Sequence, residues 1–217
     1  NNQYNVPALA NVRGAFTVEG NTIKVIADFM TYFNAKNVKA YIAVNEKTTT
    51  GNVGTNGEKE FHHIMLKFLN DANGNTLNIN AGEHKRLEFS YDMSQTFMED
   101  INDLEVALWL QNDETKEIYN SHFAYDYTEH CYPVRNMAVT LDGNNFSAKW
   151  EAPEKGNPTS YNVYIDGNLA EEKISSLEYS SEMNNKRVIE VVAVYEDNKT
   201  SVGIIKRINT IENIADI

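Results

Sequence analysis

The sequence predicts an all-β chain of two tandem antiparallel β-sandwich domains, residues 1–130 and 131–217. Three observations predict it. Apolar side chains recur with a period of two, turns rich in Asn and Gly fall between those stretches, and helical spacing is nearly absent. In Thr22 to Phe33, residues Ile23, Val25, Ala27 and Phe29 share one side while Thr22, Lys24 and Asp28 tend to the other. Val38, Ala40, Ile42 and Val44 repeat the spacing, as do Leu87, Phe89, Tyr91 and Met93, and then Leu104, Val106, Leu108 and Leu110. Period-two spacing puts one set of side chains on one face of a strand. The chain reverses at Glu19-Gly20-Asn21, Asn70 to Asn75, Asp142 to Asn145 and Asp166-Gly167-Asn168, because Asn and Gly accept positive φ.

His62 to Leu69 (HHIMLKFL) fits either a short helix or a buried strand, since a run so short has no decisive period. Met93 to Ile101 reads as a loop or a single helical turn. Phe123, Tyr125 and Tyr127 alternate as the last strand of the first domain, and the boundary falls near Cys131-Tyr132-Pro133. Beyond it strands are expected at 135–141, 145–150, 159–165, 168–173, 186–195 and 201–208. Short strands at such close spacing suggest a second sandwich.

Composition excludes several classes. The 217 residues carry 19 Lys+Arg against 31 Asp+Glu, a formal charge of −12. An acidic chain lacks the basic footprint of a nucleic-acid binder. Ten basic residues against eighteen acidic precede residue 131, and nine against thirteen follow, so neither half is a basic arm. Hydrophobic residues reach 41% and aromatics 11%, enough for ordinary cores. No apolar run approaches the roughly 18 residues of a membrane span. The chain opens Asn1-Asn2-Gln3 without an initiator Met or an apolar leader, which reads as a mature product or an excised fragment.

The second half carries a recognisable order. Pro133-Val134-Arg135-Asn136-Met137-Ala138-Val139 is followed by Phe146 to Pro153 (FSAKWEAP), Ser160 to Gly167 (SYNVYIDG) and Ile189 to Tyr195 (IEVVAVY). Over about 133–208 this resembles a fibronectin type III-like module of bacterial surface adhesins and secreted proteases. Trp150 is expected to fill its core, and Pro153 to end a strand, because Pro donates no ladder hydrogen bond. The family usually places Tyr at the start of the penultimate strand. Val188 or Ile189 stands there instead, so the corner hydrogen bond is not expected from that position.

In the first half, Asn21 to Val25 (NTIKV), Val38 to Glu46 (VKAYIAVNE) and Glu60 to Lys67 (EFHHIMLK) are similar to outer-membrane-protein-28-related β-sandwiches of Gram-negative bacteria, over about 7–127. That resemblance implies an exported protein at the outer-membrane or extracellular surface. A thioredoxin-like domain often precedes such sandwiches, and no C-x-x-C pair occurs in this chain. The tail Ile208 to Ile217 is suggestive of the lead-in to a type IX secretion sorting domain, or reads as a polar terminus.

The candidate sites are modest. His62 and His63 are neighbours, and on a strand neighbours point to opposite faces; one is expected to hydrogen-bond inside the sandwich and the other to be solvated. His130-Cys131 with His122 offers ligands that zinc accepts, but they straddle the junction, where Cys131 reads as a buried filler. No base and oxyanion pattern supports a Cys-His nucleophile. Asp71-Ala72-Asn73-Gly74-Asn75 alternates like a calcium loop, yet the sixth and twelfth places are Thr76 and Gly82 rather than Gly and Glu. The turn reading is preferred, with a calcium site of other geometry left open.

Tyr119, Tyr125, Tyr127 and Tyr132 crowd the junction. They read as a packed interdomain seam, or as aromatics that stack on sugars or anchor a protein. No catalytic, cofactor-binding or metal-binding residue is expected, and the ligand is unknown. The reading is a non-catalytic stalk or adhesion-like binding module engaging a protein, peptide or glycan. Its competitor is an accessory portion of an exported thioredoxin-like or proteolytic enzyme whose catalytic domain lies outside the chain. A carbohydrate-binding sandwich predicts an exposed row of aromatics on one sheet.

Overall fold

The computed structural model describes residues 8–51, 54–69, 71–127 and 129–208. The sorting-tail reading therefore falls almost wholly outside the described residues. The described chain is all-β. Strands β1 (Ala10–Glu19), β2 (Thr22–Thr31), β3 (Ala35–Thr49), β4 (Phe61–Phe68), β5 (Asn75–Ile79), β6 (His84–Asp92), β7 (Leu104–Asn112), β8 (Ile118–Phe123) and β9 (Tyr125–Asp126) come first. They are followed by β10 (Arg135–Asp142), β11 (Asn145–Glu151), β12 (Ser160–Ile165), β13 (Asn168–Ile174), β14 (Glu178–Glu182), β15 (Val188–Val194) and β16 (Ile204–Arg207).

Two β-sandwiches result. The first faces the sheet β6-β2-β1-β9 against β4-β3-β7-β8, with β5 also paired to β3. Neighbouring strands run antiparallel except β1 and β9, which meet in parallel at Ala15↔Tyr125 and Phe16↔Asp126. Its core takes the inward sets the alternation singles out: Ile23, Val25, Ala27 and Phe29 from β2, Val38, Ala40, Ile42 and Val44 from β3, and Leu104, Val106, Leu108 and Leu110 from β7. Fully burying a side chain of this size stabilises by about 1.5–3 kcal/mol. Gly14 lets the sheets close up, because a Cβ there would lie 2.5 Å from Leu108 Cδ1.

The second sandwich packs β10-β11-β14 on β13-β12-β15-β16. Phe146, Ala148, Trp150, Tyr161, Val163, Ile189, Val191, Ala193 and Tyr195 meet in its core with Cys131. The expected turns close its hairpins. Asp166 and Gly167 take φ 48° and 78° between β12 and β13, the double positive φ of a type I′ turn. Strand β11 stops two residues before Pro153.

Several local readings change. His62 to Leu69 is neither helix nor buried strand: it is β4, half-exposed along its length. Strand β14 was not expected, because Glu178-Tyr179-Ser180-Ser181-Glu182 has one apolar residue; it forms by pairing with β11. The stretch after Met93 holds two short 3-10 turns, Met93–Gln95 and Ile101–Asp103, each opened by an Asp whose side chain accepts a backbone N–H. No tyrosine bond forms from the start of β15; at its other end the hydroxyl of Tyr195, just past β15, donates to Tyr132 O at 2.7 Å.

Candidate functional site

The outward face of the sheet β6-β2-β1-β9 builds the most elaborate polar site. Register sets Arg13 opposite Asp28 and Asp28 opposite Arg86 in one row across β1, β2 and β6. The next row holds Asn11, Met30 and His84. These side chains should be solvated, yet Asp28 and Met30 are fully buried, because the second sandwich covers that end of the sheet.

Asp28 is held from three directions. Arg86 places its fork on the carboxylate, Nε to Oδ1 at 2.8 Å and Nη2 to Oδ2 at 3.2 Å. His84 Nε2 donates to Oδ1 at 2.8 Å, and His130 Nε2 donates to Oδ2 at 2.5 Å. Burial by itself raises a carboxyl's pKa, but these bonds from His130, His84 and Arg86 outweigh it and hold Asp28 well below the usual carboxylate range. The carboxylate is thus a buried anion with its lone pairs filled. With the His130 proton on Nε2, its buried Nδ1 has no hydrogen-bond partner among the described residues.

Arg86 continues the chain of contacts. Its guanidinium lies over the Tyr132 ring at 4.5 Å, and Nη1 reaches Glu154 Oε1 at 3.3 Å. Arg13 Nε donates to Thr200 Oγ1 at 3.0 Å, and Thr200 N donates to the Tyr125 hydroxyl at 3.3 Å. The Tyr32 hydroxyl donates to both oxygens of Glu190, at 3.1 and 3.3 Å. Burial raises Glu190 above the ordinary carboxylate range, with the Tyr32 bond acting against it. Gly82 packs so closely that a Cβ there would stand 2.4 Å from Ile205 Cγ1. Contacts from five separate segments therefore tie residues before 130 to residues after it.

The sequence candidates divide around this seam. His130 belongs to it through Asp28. Tyr125, Tyr127 and Tyr132 line it, with Lys199 over the Tyr127 ring at 4.7 Å. Tyr119 does not: it packs edge-on against Phe33 inside the first sandwich. Cys131 is buried in the second core, and burial pushes its thiol up to about 12, so it holds no thiolate at neutral pH. His122 turns to Tyr125, ring centroids 4.8 Å apart, rather than joining His130 and Cys131. Among the described residues no group of three His, Cys, Asp or Glu is arranged for a metal ion.

His62 and His63 are both on the surface, which corrects the reading of one as an interior histidine. His63 has φ 54°, a local break of the alternation, and its Nδ1 meets Glu105 Oε1 at 2.7 Å, while His62 Nε2 meets Glu60 at 3.0 Å. Asp71 turns its carboxylate onto the Asn73 backbone N–H at 2.7 Å, the geometry of an Asx turn. Asp28, Arg86, His84 and Glu190 are what the sequence reading missed. One signal was present: Ile26 and Met30 alternate with Asp28 on the outward side of β2, an apolar bracket unusual for a solvated face.

No family model matches the chain, and no curated protein does. Among solved structures the chain is similar to HBP35 of Porphyromonas gingivalis, at 15% identity and TM-score 0.45, covering 90% of this chain and 62% of that one. It is also similar to a domain of the outer membrane lipoprotein Omp28 from Porphyromonas gingivalis, at 14% identity and TM-score 0.41, covering 56% of this chain and 92% of that one. A 1.5-MDa bacterial ice-binding adhesin aligns at 9% identity and TM-score 0.25 over 93% of this chain and 64% of the other. The chain thus spans less than two thirds of HBP35.

Proposed function

We propose that the chain is a non-catalytic stalk or binding module of an exported bacterial surface protein, made of two domains, 1–130 and 131–217. The carrying observation is the seam. Arg86, bound to the buried Asp28 carboxylate, continues across the boundary to Tyr132 and Glu154, and Tyr32 donates to the buried Glu190; such a seam tolerates little relative motion, since any opening exposes buried charge without its partners. Joined sandwiches that hold one orientation suit a rigid spacer that presents a binding surface at a distance. The three-plus-four strand order of the second sandwich supports its reading as fibronectin type III-like. The exported location rests on the sequence resemblances described above.

The test is solution scattering on the whole chain together with residual dipolar couplings on each sandwich. One common alignment tensor is expected, and Asp28→Ala is expected to separate the two tensors. Independent tensors in the unaltered protein would overturn the rigid-module reading. Hydrolase or disulfide-exchange activity lost on changing one residue of this chain would overturn the non-catalytic one.

A further inference from the structure

Beyond the row of Arg13, Asp28 and Arg86, the outward face of β1, β2 and β6 continues for two more rows. Register sets Ala15, Ile26 and Glu88 side by side in the first, and Thr17, Lys24 and Ser90 in the second. Phe16, Val25, Ala27 and Phe89, which alternate with them, pack on the first core, so both rows point away from it. Tyr127 and His130, from the junction, line the same space, and together they enclose a cavity of ≈ 480 Å³.

The floor of this cavity has an apolar strip and a charged end. Ala15 and Ile26 supply the strip, and Thr17 and Ser90 bring hydroxyls to its side. Glu88 ends the strip on β6, the edge strand of its sheet, where it is exposed. Ala15 and Glu88 stand two strands apart, about 10 Å, so the carboxylate lies at one end of an apolar track.

We infer that this cavity receives an arginine side chain of a partner protein, its stem along Ala15 and Ile26 and its guanidinium on Glu88. Charge is the first argument. Lys24 is the one Lys or Arg that lines the cavity, and it is taken, its Nζ 2.6 Å from Glu19 Oε2. Lys199, over the Tyr127 ring, is paired with Asp197 at 2.9 Å. His130 is held through Nε2 by Asp28. Glu88 has no ion pair or side-chain hydrogen bond among the described residues, and neither have Asp126 and Glu129, the exposed neighbours of Tyr127 and His130. The uncompensated charge around the cavity is therefore negative, and it calls for a cation.

The second argument selects the kind of cation. A metal ion has no ligand set here, since among the described residues no three His, Cys, Asp or Glu are grouped for one. A small ammonium would leave the apolar strip uncovered, and an apolar side chain would desolvate Glu88 without pairing it, which is unfavourable. Arginine meets both demands: its methylene stem packs on apolar surface while its head stays polar, and the planar guanidinium binds a carboxylate with two parallel hydrogen bonds. This inference rests on the reading of the chain as a binding module but not on the rigidity of the seam.

Nuclear magnetic resonance on the whole chain tests it. A chain of net charge −12 attracts polycations anywhere, so the probe carries a single charge: the capped peptide acetyl-Gly-Gly-Arg-Gly-Gly-amide, titrated to about 5 mM, above the millimolar Kd expected of one side chain. The amide signals of Ala15, Ile26 and Glu88 are expected to shift saturably. The same peptide with citrulline, which keeps the shape and loses the charge, is expected to leave them in place, and the Lys peptide to bind more weakly than the Arg peptide. Glu88→Lys is expected to abolish binding with an unchanged Tm, since Glu88 is exposed and unpaired. Glu114→Gln, an exposed carboxylate outside the cavity, is expected to bind as the unaltered chain does.

The inference is overturned if the Arg peptide moves none of the three signals, or if Glu88→Lys binds it as tightly as the unaltered chain. It is equally overturned if the citrulline peptide binds as well, or if shifts spread over the acidic surface without saturating, the mark of charge attraction alone. Tighter binding of the Lys peptide would overturn the choice of arginine. A single alignment tensor alongside any of these results leaves the rigid-module proposal standing, so the two readings fail separately.

Discussion

His130 Nε2 lies 2.5 Å from Asp28 Oδ2, across 102 positions of sequence. Both side chains are almost wholly removed from solvent. Since Arg86 and His84 hold the other lone pairs, replacing the carboxylate with an amide leaves three donors sharing one neutral oxygen and turns an NH2 group toward the others. Asp28→Asn is expected to cost about 3–5 kcal/mol in urea unfolding, and to split one transition into two. A loss under about 0.5 kcal/mol, the range of ordinary surface substitutions, would show that the bonds contribute little.

Acid should weaken the protein in two windows. His122 is depressed from its ordinary value to about 4 by burial, with Arg13 adding to the effect. A base whose folded pKa is lowered contributes stability that is complete above about 6.5 and is lost as pH falls through the folded value. Asp28, a carboxyl held low, contributes stability that is complete above about 3.9 and declines below it. Unfolding free energy measured against pH should therefore fall between about 6.5 and 4, and His122→Gln should flatten that limb alone. An unchanged slope in the variant would contradict the assignment.

Tyr32, beside Asn11, donates to the Glu190 carboxylate, which burial has already made costly. Tyr32→Phe keeps the ring and deletes the hydroxyl, so Glu190 loses a donor at 3.1 Å. The expected cost is about 1.5–3 kcal/mol, typical of hydrogen bonds to charged groups. Glu190→Gln in the Tyr32→Phe background should recover part of it, because the neutral amide is easier to bury. A double-mutant cycle on chemical denaturation reads the coupling directly.

Gly82 has φ 76° and faces Ile205 across the seam. An alanine there meets two obstacles at once: a left-handed backbone that costs about 1–2 kcal/mol, and a Cβ overlapping a branched side chain. Gly82→Ala is expected to destabilise by roughly 2–4 kcal/mol. Ile205→Ala should relieve the steric part while the backbone strain remains. Equal losses in the single and double variants would mean that the contact is not tight.

Much of the architecture was legible because strand formation here is local. Ile23, Val25, Ala27 and Phe29 announce an inward face by spacing alone, and Asp166-Gly167 announces its turn by the φ values its residues accept. Strand β14 was illegible for the same reason: Glu178 to Glu182 has too few apolar residues to mark a face, and only pairing with β11 makes it a strand. His63 misled because its positive φ breaks the alternation on which any facing argument depends.

The seam marks the limit. Alternation set Asp28 opposite Ile23 and Phe29, on the outward side of β2; of the four tyrosines read as a packed seam, Tyr125, Tyr127 and Tyr132 line it, while Tyr119 packs against Phe33 inside the first sandwich. From the chain alone an outward Asp is a solvated Asp. That the junction brings His130 to Asp28, and a second sandwich brings Glu154 to Arg86, depends on contacts across more than sixty residues. Sequence by itself determined which residues form strands and which side of each strand is apolar, since neighbours along the chain decide backbone dihedrals. Tertiary structure decided which polar side chains are buried and charged together, because burial is a property of what covers a face, and no local pattern encodes that.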